Sequence, residues 1–240
     1  HKKRPKITDY IDNIFDDFFE QKGDALGKED GSIYGGIATY YGTPVTVIGH
    51  RKGNNLNENL ACNFGMPGPE GYRKALRLMK QAEKFGRPII TFIDTPGAYP
   101  GLEAETNGQG NAIAENLAKM SALKVPVIAI VTGEGSSGGA LAIGVANSVL
   151  MLENAIYSIL SPEGYASILW KDSSRSDEAC SMMRLTAQDL KEFHVIDEII
   201  PEPIGGAHLN HNAVYKAVDK YLRRELEKYA KMGPDELAKH

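Results

Sequence analysis

The sequence is poor in cysteine and carries no strong excess of charge of either sign. Its 240 residues include two cysteines, Cys62 and Cys180, which lie far apart and form no C-x-x-C pair. We therefore expect neither a disulfide framework nor a zinc site within this chain, and a reducing compartment suits it. A net charge of −4 leaves no large basic field, which argues against nucleic acid as a partner.

Long hydrophobic runs are also missing. The longest, VPVIAIV at 125–131, is far below the roughly 18 residues that a membrane-spanning helix needs. The first residues, HKKRPK, lack the apolar region of a signal peptide, so we expect a cytoplasmic protein with no membrane partner. With 42% hydrophobic and 24% charged residues, the composition is that of an ordinary globular chain. No break in composition marks a boundary, and we predict a single domain over residues 1–240.

Hydrophobic spacing predicts strands and helices that alternate along most of the chain. Near the N-terminus we expect an amphipathic helix over about residues 8–20, with Thr8 as its N-cap, followed by short antiparallel strands. Two later strands, IITFID and VIAIVT, are apolar nearly throughout, as central strands of a parallel sheet are. Further helices are predicted over about residues 69–86, 108–123, 137–146, 162–170, 177–184, 187–194 and 212–230.

Each of these two apolar strands runs into a glycine-rich turn. The turns are DTPGAYPG at 94–101 and GEGSSGG at 133–139. In open α/β sheets, ligands bind at the carboxyl ends of the strands. We therefore expect the two turns to line one site.

The second turn matches two known motifs, and both stay open on sequence grounds. Gly133, Gly135 and Gly138 have the G-x-G-x-x-G spacing of a dinucleotide-binding turn, and Glu153 stands where a ribose-binding acid would. Against this interpretation, the helix that follows is short and has no polar face. The same run gives G-x-S-x-G around Ser137, the spacing of a hydrolase nucleophile elbow. Its base and acid would come from four downstream residues: His194, His208, Asp189 and Asp197.

A third interpretation uses the backbone of the turn. Gly139 and Ala140 stand where a phosphate-binding loop needs Lys and Ser or Thr, so that motif is excluded. Glycines nevertheless let a reacting group approach the main chain, and amides that open a helix have no partner within it. Such donors form an oxyanion hole that needs no acid, base or metal. The alternative is that these glycines only allow a helix to pack closely on a strand.

Five stretches give the sequence a resemblance to a known family. They are RPIITFIDTPGAYPG, AETNGQG, GEGSSGGALAIG, YSILSPEGYASILW and IDEIIPEPIGGAH, which span about residues 87–208 in the family's order and spacing. The sequence resembles the alpha subunit of the bacterial-type acetyl-CoA carboxylase carboxyltransferase. The coiled N-terminal helices usual in that family have no counterpart among these residues.

The resemblance implies a fold, an activity and partners. The fold would be α/β and crotonase-like, a spiral of repeated ββα units with a mostly parallel central sheet and helical additions at both ends. The activity would be transfer of the carboxyl group from carboxybiotin, held on the biotin carboxyl carrier protein, to acetyl-CoA. The product would be malonyl-CoA for fatty-acid synthesis. The chain would act only with a beta subunit, in an alpha2beta2 heterotetramer whose beta chain holds zinc and most acetyl-CoA contacts, and biotin carboxylase would be a further partner.

The resemblance also implies roles for individual residues. The family's catalytic glycine pair falls on Gly138 and Gly139, whose amides would hold the ureido oxygen of biotin. On this view a Gly139→Val substitution blocks the site and leaves the fold mostly intact, and Asp94 either orients the loop before Pro100 or caps nearby N–H groups. The substrate pocket would be lined by other residues of the two turns: Gly97, Ala98, Tyr99, Gly135, Ser137 and Ala140.

Two positions depart from the family's pattern, and one motif suggests no reaction. Family members often carry Gly where this chain has Ser136 and Cys where it has Tyr165, so neither side chain is expected to be essential. The GGAH motif, Gly205 to His208, is typical of the family, but its chemistry does not follow from its residue types.

Overall fold

The computed structural model describes residues 1–240. The strands are β1 (Asp16–Glu20), β2 (Ile33–Tyr40), β3 (Thr43–His50), β4 (Ile89–Thr95), β5 (Val127–Ser136), β6 (Ser148–Leu152), β7 (Ile156–Ser158) and β8 (Glu198–Ile200). The helices are α1 (Ile7–Ile14), α2 (Leu56–Ala61), α3 (Pro69–Lys84), α4 (Leu102–Thr106), α5 (Gln109–Met120), α6 (Ser137–Leu141), α7 (Pro162–Trp170), α8 (Ser176–Met182), α9 (Ala187–Glu192), α10 (His211–Tyr229) and α11 (Pro234–Leu237).

All eight strands belong to one mixed sheet with a mostly parallel centre. Strands β1, β2 and β3 pair antiparallel, whereas β3, β4, β5, β6 and β8 pair parallel in that order. Strand β5 is long, so its first half pairs with β6 and its second half with β7. This arrangement confirms the predicted α/β class, and it brings the carboxyl ends of β3, β4 and β5 side by side.

Helices cover both faces of the sheet. On one face α1 and α10 pack over β4, where the ring of Tyr10 stacks on Phe92 at 5.2 Å and meets Tyr215 edge-on at 5.7 Å. On the opposite face α3 covers β2 so closely that a Cβ built on Gly35 would lie 2.8 Å from Leu78 Cδ1. Helix α5 packs beside α3. The apolar strands predicted as central are therefore buried between two helical layers.

The N-terminal helix is shorter than the predicted 8–20. It ends at Ile14, and its N-cap is Lys6, whose backbone N–H donates to the Asp9 carboxylate at 2.7 Å. Thr8, the predicted N-cap, lies inside the first turn.

Residues Asp16–Glu20, expected to continue that helix, form the edge strand β1. Phe18 packs on the ring of Tyr34, with 5.2 Å between the centroids, while Phe19 faces solvent. Such alternation is typical of a strand. The sequence prediction was wrong here because these phenylalanines also fit the spacing of a helix.

Helix α6 is also shorter than its predicted range, 137–146. After Leu141 the backbone turns tighten: Ile143 donates to the Ala140 carbonyl at 3.3 Å and Gly144 to the Leu141 carbonyl at 2.9 Å. These hydrogen bonds join residues three apart, as in a 3-10 helix, and they end the α-helical pattern. The other predicted helices are confirmed with small shifts at their ends, and the single-domain division stays a prediction.

Candidate active site

The two glycine-rich turns meet at the carboxyl edge of the sheet, as predicted. Thr95, which ends β4, pairs with Gly135 of β5. Beyond the strands, a Cβ built on Gly139 would lie 2.4 Å from the Ala98 nitrogen and 2.6 Å from the Gly97 carbonyl carbon. The two backbones therefore touch, and only glycine permits that approach.

Side chains that sequence reasoning missed hold the loop of the first turn. The Thr95 hydroxyl accepts the Gly97 N–H at 3.0 Å and donates to the Gly97 carbonyl at 2.9 Å. The Gln109 amide, at the start of α5, donates to the carbonyls of Tyr99 at 3.0 Å and Pro67 at 2.9 Å. From the sequence, the GQG triplet that contains Gln109 contributed only to the family resemblance, and no role was predicted for the Gln109 side chain.

Helix α6 opens directly on the second turn. Ser137 has φ +57°, in the left-handed region, so the chain turns sharply from strand to helix. Gly138 and Gly139 are the second and third residues of α6, where amides have no carbonyl partner within the helix. Gly138 is half-buried and Gly139 is buried.

An apolar cavity of about 500 Å³ adjoins Gly138. Its volume lies in the range of small-molecule sites. Ser137, Gly138 and Leu141 of α6 form one wall. The other walls are mostly hydrophobic and come from later segments: Tyr157, Ser158, Ile159, Leu160, Tyr165, Met183, Arg184, Leu190, Phe193 and Val195. Gly138, whose amide has no carbonyl partner within α6, thus stands at the edge of the apolar cavity.

Other predicted pocket residues have different surroundings. Gly135 is buried in β5, and a Cβ there would lie 2.7 Å from the ring of Tyr157. Ala140 is fully buried and belongs to the main hydrophobic core. Tyr99 is 37% exposed and its ring covers Gly101. Substrate contact by these residues stays a prediction.

The contacts of the glycine run support neither of its two motif interpretations. No hydrogen bond joins Ser137 to His194 or His208, and the ring of His208 stacks on another histidine at 3.9 Å. The carboxylate of Glu153 accepts the Glu202 N–H at 3.0 Å, so it ties two strand ends together instead of facing the glycines.

Behind the turn, a buried histidine connects the strand ends. His50, the last residue of β3, lies with its Nε2 3.3 Å from the Gly139 carbonyl oxygen, while its Nδ1 accepts the Asp94 N–H at 3.4 Å. Burial lowers the pKa of His50 to about 4, so its ring is neutral near pH 7. His50 was not among the residues predicted from the sequence, although it stands at the end of a parallel strand, where site residues often lie.

Asp94 does not orient the loop that follows it, contrary to one expectation from the sequence. Its Oδ1 accepts the Glu134 N–H at 3.1 Å and the Lys52 ammonium at 2.8 Å, and Lys52 also reaches Glu134 at 2.6 Å. Burial opposes the charge of Lys52, but the two carboxylates outweigh burial and raise its pKa. A Cβ on Gly133 would lie 2.3 Å from Asp94 Oδ1. Asp94 therefore fixes the second turn, which agrees with the alternative that it caps nearby N–H groups.

The motif around Gly205–His208 surrounds a buried carboxylate. The Glu202 side chain is fully buried and accepts two hydrogen bonds from Arg4, at 2.6 and 3.0 Å. It also accepts the Ala207 N–H at 2.6 Å, and the backbone N–H and the side-chain amide of Asn154, each at 3.1 Å. Burial opposes ionisation of Glu202, but the bonds from Arg4 and Asn154 outweigh it and hold its pKa below the usual range. These contacts give the motif a structural role.

No helix is both long and apolar enough to cross a bilayer. No three His, Cys, Asp or Glu side chains are grouped as ligands for a metal ion.

Solved structures share this fold at low sequence identity. The chain matches transcarboxylase 12S with a TM-score of 0.77 at 19% identity, covering 95% of this chain and 42% of that one. It matches the beta subunit of P. aeruginosa geranyl-CoA carboxylase with a TM-score of 0.75 at 16% identity, covering 98% of this chain and 43% of that one. A chain of the Pseudomonas malonate decarboxylase hetero-dimer gives 0.72 at 16% identity, covering 89% and 87%. These likenesses establish the crotonase-like fold that the resemblance implied.

Sequence comparison identifies the family. Residues 1–240 match the family model described as acetyl co-enzyme A carboxylase carboxyltransferase-like. The acetyl-coenzyme A carboxylase carboxyl transferase subunit alpha of Anoxybacillus flavithermus is 58% identical over 237 residues, which are 99% of this chain and 73% of that protein. The subunit of the same name from Clostridium acetobutylicum is 58% identical over 235 residues, 98% of this chain and 86% of that protein. The chain belongs to the family of acetyl-CoA carboxylase carboxyltransferase alpha subunits.

Proposed function

We propose that this carboxyltransferase subunit supplies the carboxybiotin half of a site that transfers a carboxyl group to acetyl-CoA and yields malonyl-CoA. The observation that carries the proposal is the meeting of the two glycine turns beside the apolar cavity. Gly138 lines this cavity and Gly139 follows it in the first turn of α6, where amides have no partner within the helix, which supports a role for both amides as hydrogen-bond donors. The apolar walls suit the ring and chain of biotin, and the amides suit its ureido oxygen.

The backbone amides do the catalytic work in this proposal. Carboxybiotin, presented by the biotin carboxyl carrier protein after loading by biotin carboxylase, supplies the carboxyl group on a labile N–C bond. As that bond breaks, negative charge develops on the ureido oxygen, and hydrogen bonds from Gly138 and Gly139 stabilise it. Cleavage of the N–C bond releases carbon dioxide and the biotin anion. This anion takes a proton from the acetyl methyl group, and the resulting carbanion attacks the carbon dioxide to form the new C–C bond. No side-chain acid or base is then required of this chain.

The second substrate is assigned to a partner. As the family resemblance implies, a beta subunit in an alpha2beta2 complex would hold acetyl-CoA opposite the cavity and would carry the zinc; the two distant cysteines of this chain agree with that division. Large apolar side chains that line the cavity are exposed, which supports a protein partner on this side; they include Ile159, Phe193 and Val195.

The proposal is tested by malonyl-CoA decarboxylation with biocytin as acceptor, the reverse reaction. This chain alone, the chain with a carboxyltransferase beta subunit, and the same complex carrying Gly138→Val are assayed side by side. We expect activity only in the mixture and a loss of about a hundredfold in the variant, because the added side chain covers the amide donor.

Two outcomes would overturn the proposal in different ways. Full activity of a well-assembled Gly138→Val complex would make this chain a scaffold on which the beta subunit works. Activity of the chain alone, abolished by Ser137→Ala and by a fluorophosphonate label on Ser137, would return the serine-hydrolase interpretation.

A further inference from the structure

The carbonyl of Gly139 lacks the helical partner that a longer helix would give it. In a regular α-helix the N–H of Ile143 would bond the Gly139 carbonyl. Here that N–H donates to Ala140 at 3.3 Å, because the backbone tightens at the end of α6. Gly139 is buried, so water cannot readily reach its carbonyl, and leaving that carbonyl without a hydrogen bond would be unfavourable.

The ring of His50 fills this gap. Its Nε2 lies 3.3 Å from the Gly139 oxygen, and the residue is 1% exposed. Since Nδ1 accepts the N–H of Asp94, the ring proton of the neutral imidazole belongs on Nε2. Nε2–H therefore donates to the Gly139 carbonyl. The carboxylate of Asp94 does not compete for the ring, because it is bonded to Lys52 and the Glu134 N–H.

One side chain thus joins three strand ends. His50 stands on β3, its Nδ1 holds the end of β4, and its Nε2 holds the helix that follows β5. From the other side, the backbone of Ala98 presses against Gly139. The Gly139–Ala140 peptide unit is therefore held at its carbonyl by His50, while Ala98 packs against the Cα of Gly139.

We propose that His50 is a positioning residue for carboxyl transfer: by holding the Gly139 carbonyl, it fixes the Gly139–Ala140 peptide unit and so limits the backbone rotation at Gly139 that would reorient the Gly138 and Gly139 amides just before it. This inference rests on the proposed function of those amides. An oxyanion hole works because its donors are fixed before the reaction, so a turn that is free to rotate stabilises the developing charge less well.

Two substitutions separate the two bonds of the ring. His50→Asn keeps an acceptor near the position of Nδ1 but is too short to reach the Gly139 carbonyl. His50→Gln is long enough to place an N–H near the position of Nε2. A residue with a merely structural role would lower activity only in step with stability.

The test uses the complex with a beta subunit and the malonyl-CoA decarboxylation assay, with Tm measured for every variant. We expect His50→Asn to lower kcat about tenfold or more with the KM for malonyl-CoA unchanged, and His50→Gln to recover most of the loss. Wild-type kcat in His50→Asn would overturn the inference. So would equal losses in both variants that follow Tm, or a change confined to the KM for malonyl-CoA.

Hydrogen exchange on the full chain gives a readout independent of activity. Amides in residues 137–144 should exchange faster in His50→Asn than in His50→Gln, and equal rates would contradict the proposed hold on Gly139. If Gly138→Val leaves carboxyl transfer intact, the proposed function fails, whatever His50 does. If Gly138→Val abolishes transfer and His50→Asn does not, only the positioning role fails.

Discussion

Gly138 and Gly139 are adjacent residues with opposite tolerance for a side chain. A Cβ on Gly138 would meet only Ile113, at an ordinary 3.6 Å, whereas a Cβ on Gly139 would lie 2.4 Å from the Ala98 nitrogen. We expect Gly139→Ala to lower the free energy of unfolding by about 2 kcal/mol or more, and Gly138→Ala by less than about 1 kcal/mol. Urea unfolding of the two variants measures the difference.

This geometry corrects the expectation that Gly139→Val blocks the site and spares the fold. The branched side chain would strike the backbone of the neighbouring turn before it reached the cavity. Gly138 is therefore the better position for a test of catalysis. Equal stabilities of the two alanine variants would contradict this prediction, because they would mean that the two turns can separate at little cost in free energy.

His50 also makes stability depend on pH. Burial lowers its pKa from 6.5 to about 4 in the folded chain, while the unfolded chain keeps the ordinary value. Between these values the unfolded state binds more protons, so stability is full above pH 6.5 and falls as the pH drops toward 4. We expect the titration of His50 alone to lower the free energy of unfolding by about 3 kcal/mol over that range.

Urea unfolding at several pH values measures this effect, with His50→Gln as the control. The glutamine variant lacks the titrating group, so its stability should fall less steeply between pH 6.5 and 4. Parallel curves for the two proteins would mean that His50 does not titrate differently on folding.

The sequence predicted the two glycine turns but missed the side chains that hold them. Glycine runs after apolar strands are local patterns, so one sequence reveals them. Thr95, Gln109 and His50 act through partners that only the folded sheet brings near. His50 and Gly139 are 89 residues apart in the chain, and nothing in the local spacing connects them.

At the scale of elements, a buried ion pair joins the N-terminal segment to the chain after β8. Arg4 also donates to the Thr132 carbonyl on β5 at 3.0 Å. Arg4→Met would leave the fully buried Glu202 carboxylate without its cation. We expect it to lower the free energy of unfolding by about 3–5 kcal/mol. Thermal and urea unfolding of the variant check this value.

Two matched variants make that test specific. Lys124→Met removes an exposed pair with Asp235 and should cost less than about 1 kcal/mol. Arg4→Met combined with Glu202→Gln should recover part of the loss, because the buried charge is gone. If Arg4→Met and Lys124→Met lower the free energy of unfolding by a similarly small amount, the structural role given to Glu202 is wrong.

Elements with strong local patterns followed the sequence, and ambiguous ones did not. Strands β4 and β5 are apolar almost throughout, which leaves little choice but a buried position. Residues 16–20 fit both a helix and a strand, and pairing with β2 decides for the strand. Helix α6 ends early because the backbone tightens after Leu141, a choice made by tertiary contacts that periodicity does not encode.

At the scale of the whole molecule, large apolar side chains beside the cavity are exposed to solvent. Ile159 is 82% exposed on the cavity wall, and Phe193 and Val195 beside it are about half exposed. Exposed hydrophobic patches of this kind are typical of surfaces that meet another protein. The sequence implied a partner only through the family resemblance, because exposure of these residues depends on the packing of helices distant in the chain.

This surface yields a prediction about assembly. A charge at Ile159 would have to be desolvated if the beta subunit covers the cavity, so Ile159→Asp should weaken the complex at least about tenfold while the Tm of the isolated chain stays unchanged. Leu26→Asp is the matched control, since Leu26 is 72% exposed in a loop that does not line the cavity. Gel filtration and titration of the beta subunit measure both variants. Equal affinity of the two would place the partner on another face, and the cavity would then have to receive its ligand without a second subunit above it.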